Sequence, residues 1–255
     1  MSTLLLWFVA LLTLPAEAAS LVAVPPRAGA ELSWELTVAG RHVGYRGVEV
    51  RWDGADRVFE GWTTLNGRRL KGADRRLRYE QRVTANAHAG RPASFHAALE
   101  QSGRTAKEVQ ARRTGTTWTV TVAEGDEART HRLPHTRVDL SSIDLLDPEA
   151  ERSLRGRDYA RVLIAETGKI EEGPVEELGR VVLPIGDEVI TADLVQWTTS
   201  EGSYRFWYAT NGWLVRWEAP LFGLPVEATL LGDAPRSADE FPVATAAPEI
   251  EVIDL

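Results

Sequence analysis

The chain has 255 residues, a formal net charge of −8 and no cysteine. The length suits one large β domain or two small ones, and the absence of thiols excludes disulfides, a lipid-modified N-terminal cysteine and thiolate zinc sites. The arginines are scattered among acidic residues, so the chain has no basic stripe of the kind that binds nucleic acid.

The N-terminal residues have the layout of a secretory signal peptide. Residues 4–12 form an unbroken apolar run, and the small residues Ala16 and Ala18 follow it, although residues 1–3 contain no Lys or Arg. The run is too short for a permanent membrane span, and Ala-x-Ala marks a cleavage site after Ala18. We expect residues 1–18 to be removed and the mature chain to be periplasmic or secreted and not membrane-spanning. An uncleaved N-terminal anchor is the alternative.

Strict alternation of apolar and polar residues dominates the chain after residue 30 and predicts half-buried antiparallel strands. The clearest apolar sets are Leu32, Trp34, Leu36 and Val38; Leu77, Tyr79 and Val83; and Trp118, Val120 and Val122. Gly-containing turn signals recur between these runs, as at Ala39-Gly40 and Asn211-Gly212. The pattern predicts a mainly β protein, a meander of about ten or more strands in one curved antiparallel sheet, an open half-barrel.

A β-bulge is expected to bend the second strand of this sheet. Val43 and Tyr45 are apolar at odd positions, whereas Val48 and Val50 are apolar at even positions, and Gly47 lies between them. A glycine at such a switch predicts a β-bulge at Arg46-Gly47 that bends the strand.

The stretch near 143–156 differs from the meander and predicts a short helical lid over the apolar face of the sheet. Asp147 is a suitable N-cap, Pro148 fits the first helical position, and Gly156 can end the helix. The leucines at 145 and 146 would supply its buried contacts. We expect one domain over 19–232 with this insert, rather than two small β domains divided there.

Residues 233–255 are rich in Ala, Pro and acidic side chains and are predicted to form a flexible tail. Residues 250–255 are again strand-like, so they could add an edge strand to this sheet or to a partner.

Catalytic motifs are missing from the sequence. There is no Gly-x-Ser-x-Gly elbow, no Gly-x-Gly-x-x-Gly loop and no P-loop. His131 and His135 have metal-ligand spacing, but Pro134 intervenes and the flanks look extended. We therefore expect no enzyme activity, no metal and no cofactor, unless His131, His135 and Asp139 converge.

Aromatic residues are the remaining functional candidates. Tyr204, Phe206 and Tyr208 share one strand face, and Trp213 and Trp217 share a face after the next turn. Such rings could pack a core, line a half-barrel that holds an apolar ligand, or stack on sugars from an exposed surface.

Two hairpins carry a family resemblance. Residues 40–45 (GRHVGY) resemble the opening hairpin of uncharacterised exported bacterial proteins, and residues 206–216 (FWYATNGWLVR) with 222–228 (FGLPVEA) resemble their closing hairpin. In architecture these families resemble the periplasmic lipoprotein carrier and receptor, the LolA/LolB-like half-barrel with helices over an apolar cavity. The resemblance implies an exported, non-catalytic carrier or sensor for a lipid or acyl group.

The sequence thus predicts a periplasmic carrier for an apolar ligand, bound by inward-facing side chains. The alternatives are an interaction module of a cell-envelope assembly and a carbohydrate-binding protein that uses exposed tryptophans. The predicted ligand-binding residues are Trp34, Leu36, Tyr79, Phe95, Trp118, Val120, Leu145, Leu146, Phe206 and Trp217.

Overall fold

The computed structural model describes residues 30–53, 56–66, 76–86, 91–101, 104–146, 154–210, 212–221 and 224–231. The predicted signal peptide (1–18), the predicted tail (233–255) and part of the predicted lid (147–153) lie outside these ranges.

The described ranges contain fifteen strands and two single 3-10 turns. The strands are β1 Ala30–Val38, β2 Arg41–Asp53, β3 Asp56–Asn66, β4 Arg76–Asn86, β5 Arg91–Gln101, β6 Arg104–Thr114, β7 Thr117–Glu124, β8 Glu127–Pro134, β9 Leu140–Ser141, β10 Tyr159–Leu163, β11 Ile170–Ile185, β12 Glu188–Thr199, β13 Gly202–Ala209, β14 Leu214–Leu221 and β15 Leu224–Leu230. The 3-10 turns are His135–Arg137 and Asp144–Leu146. Within these ranges no helix has the length and apolarity needed to cross a membrane.

All fifteen strands belong to one sheet. Its hydrogen-bonded order runs β8-β7-β6-β5-β4-β3-β2-β1-β15-β14-β13-β12-β11-β10-β9. Neighbouring strands are antiparallel except for the short parallel pair β9–β10. The order has two ends, so the sheet is not closed into a barrel. The prediction of a mainly β, open antiparallel sheet is confirmed.

Tight turns connect the strands because glycine supplies the required backbone angles. Gly125 between β7 and β8 has φ +61°, and Gly186 between β11 and β12 has φ +58°. A positive φ at the first turn position is the geometry of the type II′ hairpin, whose twist matches that of its strands. The recurring glycine signals in the sequence therefore mark real hairpins.

The concave side of the sheet holds one apolar core, and part of the chain fills it. Leu140, Ile143, Leu154 and Val162 are buried in the same cluster as Trp34 and its neighbours on the strands. We call residues 138–146 and 154–168 the inner segment. Its last residue, Gly168, faces β6 and β7, where a Cβ would lie 2.6 Å from Val122 Cγ2 and 3.2 Å from Val109 Cγ1.

The predicted helical lid is wrong for the residues that the structure describes. The stretch Asp144–Leu146 forms a single 3-10 turn, and all three residues are buried. An α-helix lying on a sheet buries one stripe and not every residue in a row. In addition, the Asp144 carboxylate accepts a hydrogen bond from Ser141 N at 2.6 Å, which closes a local turn at this point.

The predicted bulge is also wrong in position. The register of β1 and β2 shifts where Leu36 pairs with Gly44 and Thr37 pairs with His42, so the extra residue is Val43. No shift occurs at Gly47. A glycine is required at position 47 for another reason. The Trp62 ring lies across this position, and a Cβ there would be 2.3 Å from Trp62 Cε2.

Candidate ligand-binding interior

The structure places nine of the ten predicted ligand-binding residues in the interior. Each has at most 6% of its surface exposed, and they belong to one cluster: Trp34, Leu36, Phe95, Trp118, Val120, Leu145, Leu146, Phe206 and Trp217. The tenth, Tyr79, lies on β4 opposite Thr63 of β3, and its side chain is outside the described set. Alternation therefore sorted the two faces of the strands correctly. That these side chains bind a ligand stays a prediction.

An aromatic row runs along the inner face of β12–β14. We call Trp197, Tyr204, Phe206, Tyr208 and Trp217 the aromatic wall. The Trp197 and Tyr204 ring centroids are 4.8 Å apart, Tyr204 and Phe206 are 6.4 Å apart, and Phe206 and Tyr208 are 6.2 Å apart. Trp217 on β14 lies directly opposite Phe206 on β13. These side chains form one continuous apolar surface, because cross-strand neighbours on one face are in contact distance.

Three polar atoms of the aromatic wall are buried without a hydrogen-bond partner among the described residues. They are Trp197 Nε1, Tyr208 Oη and Trp217 Nε1. Trp34 differs, since its Nε1 donates to the Leu214 carbonyl oxygen at 3.1 Å. Leaving a buried donor unpaired costs about 1–3 kcal/mol, and native proteins rarely tolerate several together. The wall therefore offers donors to an acceptor that the described protein groups do not supply.

Two guanidinium groups lie beside these donors. Arg46 from β2 lies 5.8 Å from the centroid of the Trp217 ring, and Arg155 lies 5.2 Å from that of Tyr208. Arg46 also lies 3.8 Å from the Glu166 carboxylate, with 12% of its side chain exposed. Arg155 Nε is buried without a partner among the described residues. The wall thus combines apolar rings with cations near unpaired donors, which suits an acceptor with negative charge.

The two tyrosines of the wall stay neutral. Tyr204 Oη donates to Glu171 Oε2 at 2.6 Å, and Thr199 Oγ1 donates to the same oxygen at 3.2 Å. Burial, followed by the hydrogen bond to Glu171, raises the pKa of Tyr204 far above its usual value. Burial also raises the pKa of Tyr208. Both phenols therefore keep their protons at physiological pH, and Tyr208 Oη is a donor without an acceptor among the described residues.

Polar links join the two parts of the inner segment to each other. Arg161 forms a bidentate salt bridge with Asp139, in which Nε and Nη2 each lie 2.9 Å from a carboxylate oxygen. Burial opposes ionisation of Asp139, but the hydrogen bonds from Arg161 outweigh it and lower the pKa of this carboxyl. Ser142 Oγ donates to Glu166 Oε2 at 3.3 Å and accepts from Ala165 N at 3.0 Å.

The inner segment covers the aromatic wall in this structure. Arg155 of the inner segment lies over the Tyr208 ring, and Trp197, Phe206, Tyr208 and Trp217 each have at most 5% of their surface exposed. A ligand that lies on the wall must therefore displace part of the inner segment.

Sequence reasoning missed the cations of this interior, although a signal was present. Arg46 has the same even parity as Val48 and Val50, so it occupies an inward position in an apolar row. The structure confirms that placement, because Arg46 pairs with the buried Trp34 across β1 and β2. Arginine is rarely found at the buried positions of a strand, and such exceptions to the apolar pattern are expected at functional sites.

The other sequence candidates are not assembled. His131 lies in β8 and His135 in the following turn, while Asp139 is engaged by Arg161. No group of three or more metal-ligating side chains occurs in the described ranges. Six of the seven tryptophans whose side chains are described are buried, namely Trp34, Trp118, Trp197, Trp207, Trp213 and Trp217, and Trp62 is half-buried, so these residues form no row of exposed rings.

Comparisons with known proteins support the fold alone. No protein-family model matches the chain, and no curated protein sequence matches it. The chain is similar to a solved β-barrel-like protein of a domain of unknown function, DUF1849, from Brucella abortus, with 11% identity and a TM-score of 0.56. The match covers 80% of this chain and 96% of that chain. This similarity supports a barrel-like fold, and it does not identify the chain as a member of the LolA/LolB-like family.

Proposed function

We propose that this protein is an exported, non-catalytic binding or carrier protein for an amphipathic ligand with an acyl or similar apolar body and an anionic head group. The observation that supports this proposal most directly is the aromatic wall, where three buried donors have no acceptor among the described residues and two arginines lie beside them. Apolar rings supply affinity without directional chemistry, and the few polar groups fix the orientation of the head group.

Further observations support the proposal. The N-terminal residues have the layout of a signal peptide, and an exported chain would meet the lipids and acyl groups of the cell envelope. The two hairpins resemble those of uncharacterised exported proteins whose architecture resembles the LolA/LolB-like half-barrel, and this agrees with a carrier of acyl groups. The similar Brucella abortus protein is of unknown function, so it supports the architecture only.

Native mass spectrometry with lipid extraction tests the proposal on mature protein purified from its own envelope fraction. We expect a co-purifying amphipathic molecule and uptake of a fluorescent fatty acid. Tyr208→Phe keeps the ring but removes one donor, so it should weaken uptake about three- to tenfold. Tyr159→Phe is the matched control, because Tyr159 is half exposed and lies outside the wall. A ligand-free mass together with no fatty-acid uptake would overturn the proposal.

A second candidate, a protein-interaction module, is favoured by β8. Seven of its eight residues are exposed, and β8 ends the strand order with β7 as its one neighbour in the sheet. Open strand edges pair readily with strands of other proteins. A ligand-free interior combined with an envelope protein cross-linked through β8 would favour this candidate over the carrier.

A further inference from the structure

The convex side of the sheet carries a second depression that is separate from the interior. It spans β5–β7, has a volume of ≈ 610 Å³ and is open to solvent. Phe95 and Ala111 border it, but these side chains are buried in the core behind it. The remaining lining side chains are all polar: Ser94, His96, Glu108, Gln110, Arg112, Thr114, Thr119 and Thr121. The volume lies within the range of small-molecule sites, roughly 300–1,000 Å³.

The floor of this depression combines hydroxyl groups with an already satisfied carboxylate. Glu108 is the single acidic residue among the lining residues, and its Oε1 accepts from Gln110 Nε2 at 2.6 Å and lies 2.9 Å from His96 Nε2. The bond from Gln110 is the main reason that the pKa of Glu108 lies below its usual value, with burial opposing it and His96 adding to it. The Glu108 carboxylate is thus engaged by Gln110 and His96, and Thr121 Oγ1 lies 3.0 Å from Thr130 Oγ1, so the hydroxyls of Thr114 and Thr119 are the ones available to a ligand.

Two arginines extend the depression toward β8. Arg112 on β6 pairs with Thr119 on β7, and Thr119 pairs with Arg132 on β8, so all three share one face. The spacing of neighbouring strands places the two arginine Cα atoms about 9.5 Å apart. Both arginines are exposed, and neither forms a hydrogen bond or ion pair within the described part of the chain. Two uncompensated cations across a hydroxyl-lined surface are unusual in a chain of net charge −8.

We infer that this depression binds an acidic oligosaccharide, a chain of sugar rings that carry carboxylate groups. The hydroxyl and amide groups of the floor match the hydroxyls of sugars, and the arginines match carboxylates with their paired donors. An acidic peptide fits less well, because a peptide strand needs apolar pockets for alternate side chains and the lining offers none. Binding uses polar contacts and charge, without aromatic stacking.

Titration calorimetry on the full-length protein tests the inference with three probes: a galacturonic acid hexamer, uncharged maltohexaose and a glutamic acid hexamer. We expect the galacturonate hexamer to bind, with an affinity that falls as salt is raised, and the other two to bind at least about tenfold more weakly. Equal binding of maltohexaose would overturn the role of the arginines. Equal binding of the glutamate hexamer would overturn the assignment to sugars, and no binding of the galacturonate hexamer would overturn the site.

Matched variants separate a specific site from general attraction of charge. Arg112→Gln with Arg132→Gln should weaken binding of the galacturonate hexamer at least about tenfold. Arg41→Gln with Lys169→Gln makes the same change in net charge at exposed positions elsewhere and should leave the affinity within about twofold. Equal losses in the two double variants would overturn the inference. Tyr208→Phe should not change this affinity, because Tyr208 is buried in the aromatic wall on the other side of the sheet.

Discussion

Tyr208 shows how a single atom can report a function. Its ring is stacked on Phe206 and lies under Arg155, but its hydroxyl is buried without a partner in the described residues. Tyr208→Phe keeps the ring and removes the unpaired hydroxyl. We expect the ligand-free variant to be as stable as the wild type or more stable by about 1 kcal/mol, as measured by urea unfolding.

The comparison variant is Trp34→Phe. Trp34 is fully buried and donates to the Leu214 carbonyl oxygen, so its loss should destabilise the protein by about 2–3 kcal/mol. A comparable loss in Tyr208→Phe would mean that the Tyr208 hydroxyl has an internal acceptor, and the donor argument for ligand binding would then fail.

Residue-level prediction from sequence worked for apolar positions and failed for polar ones. Alternation located Trp34, Phe206 and Trp217 on the inner face because burial of apolar area is periodic along a strand. The pairing of Arg46 with Glu166 depends on two residues that are distant in sequence. The unpaired donors depend on what is missing around them. The Arg46–Glu166 pair and the unpaired donors do not recur periodically along the chain, so a sequence pattern cannot predict them.

At the scale of elements, Gly168 tests how closely the inner segment contacts β6 and β7. Its φ of +68° and the 2.6 Å approach of Val122 both oppose a Cβ. Gly125 has a similar φ of +61°, but nothing lies within 4 Å of its Cβ position. We expect Gly125→Ala to cost about 1 kcal/mol of unfolding free energy and Gly168→Ala about 1–3 kcal/mol more. Equal losses would show that the inner segment does not rest on these valines.

Asp139 gives the inner segment a pH dependence. Its pKa is lowered by the hydrogen bonds from Arg161, so the pair stabilises the fold above the pKa of an unfolded aspartate, about 3.9. That contribution is lost as the pH falls below this value through the lower folded pKa. Urea unfolding at pH 7 and pH 3 should show a smaller stability difference for Asp139→Asn than for the wild type. An identical difference would mean that the pair makes no net contribution.

Elements were predicted as well as their local signals allowed. The strands and most hairpins follow from alternation and from glycine at turns, which act over a few residues. The helical lid was wrong because Leu145, Leu146 and the turn at Ser141–Asp144 respond to the packing of the interior. The bulge was misplaced because Gly47 is required by the Trp62 ring, a contact between two strands that parity along one strand does not reveal.

At the scale of the whole molecule, one pairing joins the two halves of the sheet. Strand β1 pairs with β15, so Trp34 lies opposite Leu230 at the two ends of the described chain. The sheet then extends outward to β8 on one side and to β9 on the other. Sequence alone does not predict the pairing of β1 with β15, because neither strand carries a signal for a partner so distant. It places the inner segment between the two halves, where it covers the aromatic wall.

If the wall binds a ligand as we propose, the inner segment must move to admit it, and a disulfide can prevent that movement. The chain has no cysteine, so Gly168→Cys with Val122→Cys introduces a single pair of thiols. The Val122 Cγ2 atom lies 2.6 Å from a Cβ at position 168, close to the roughly 3 Å between a Cβ and the far sulfur of a disulfide. The oxidised double variant should lose most uptake of fluorescent fatty acid, and reduction should restore it. Each single variant controls for strain at Gly168 and for the lost valine. Equal uptake by the oxidised and reduced forms would mean that the ligand binds outside the interior. Uptake that is lost on oxidation and recovered on reduction would mean that the inner segment must be displaced before the ligand can enter.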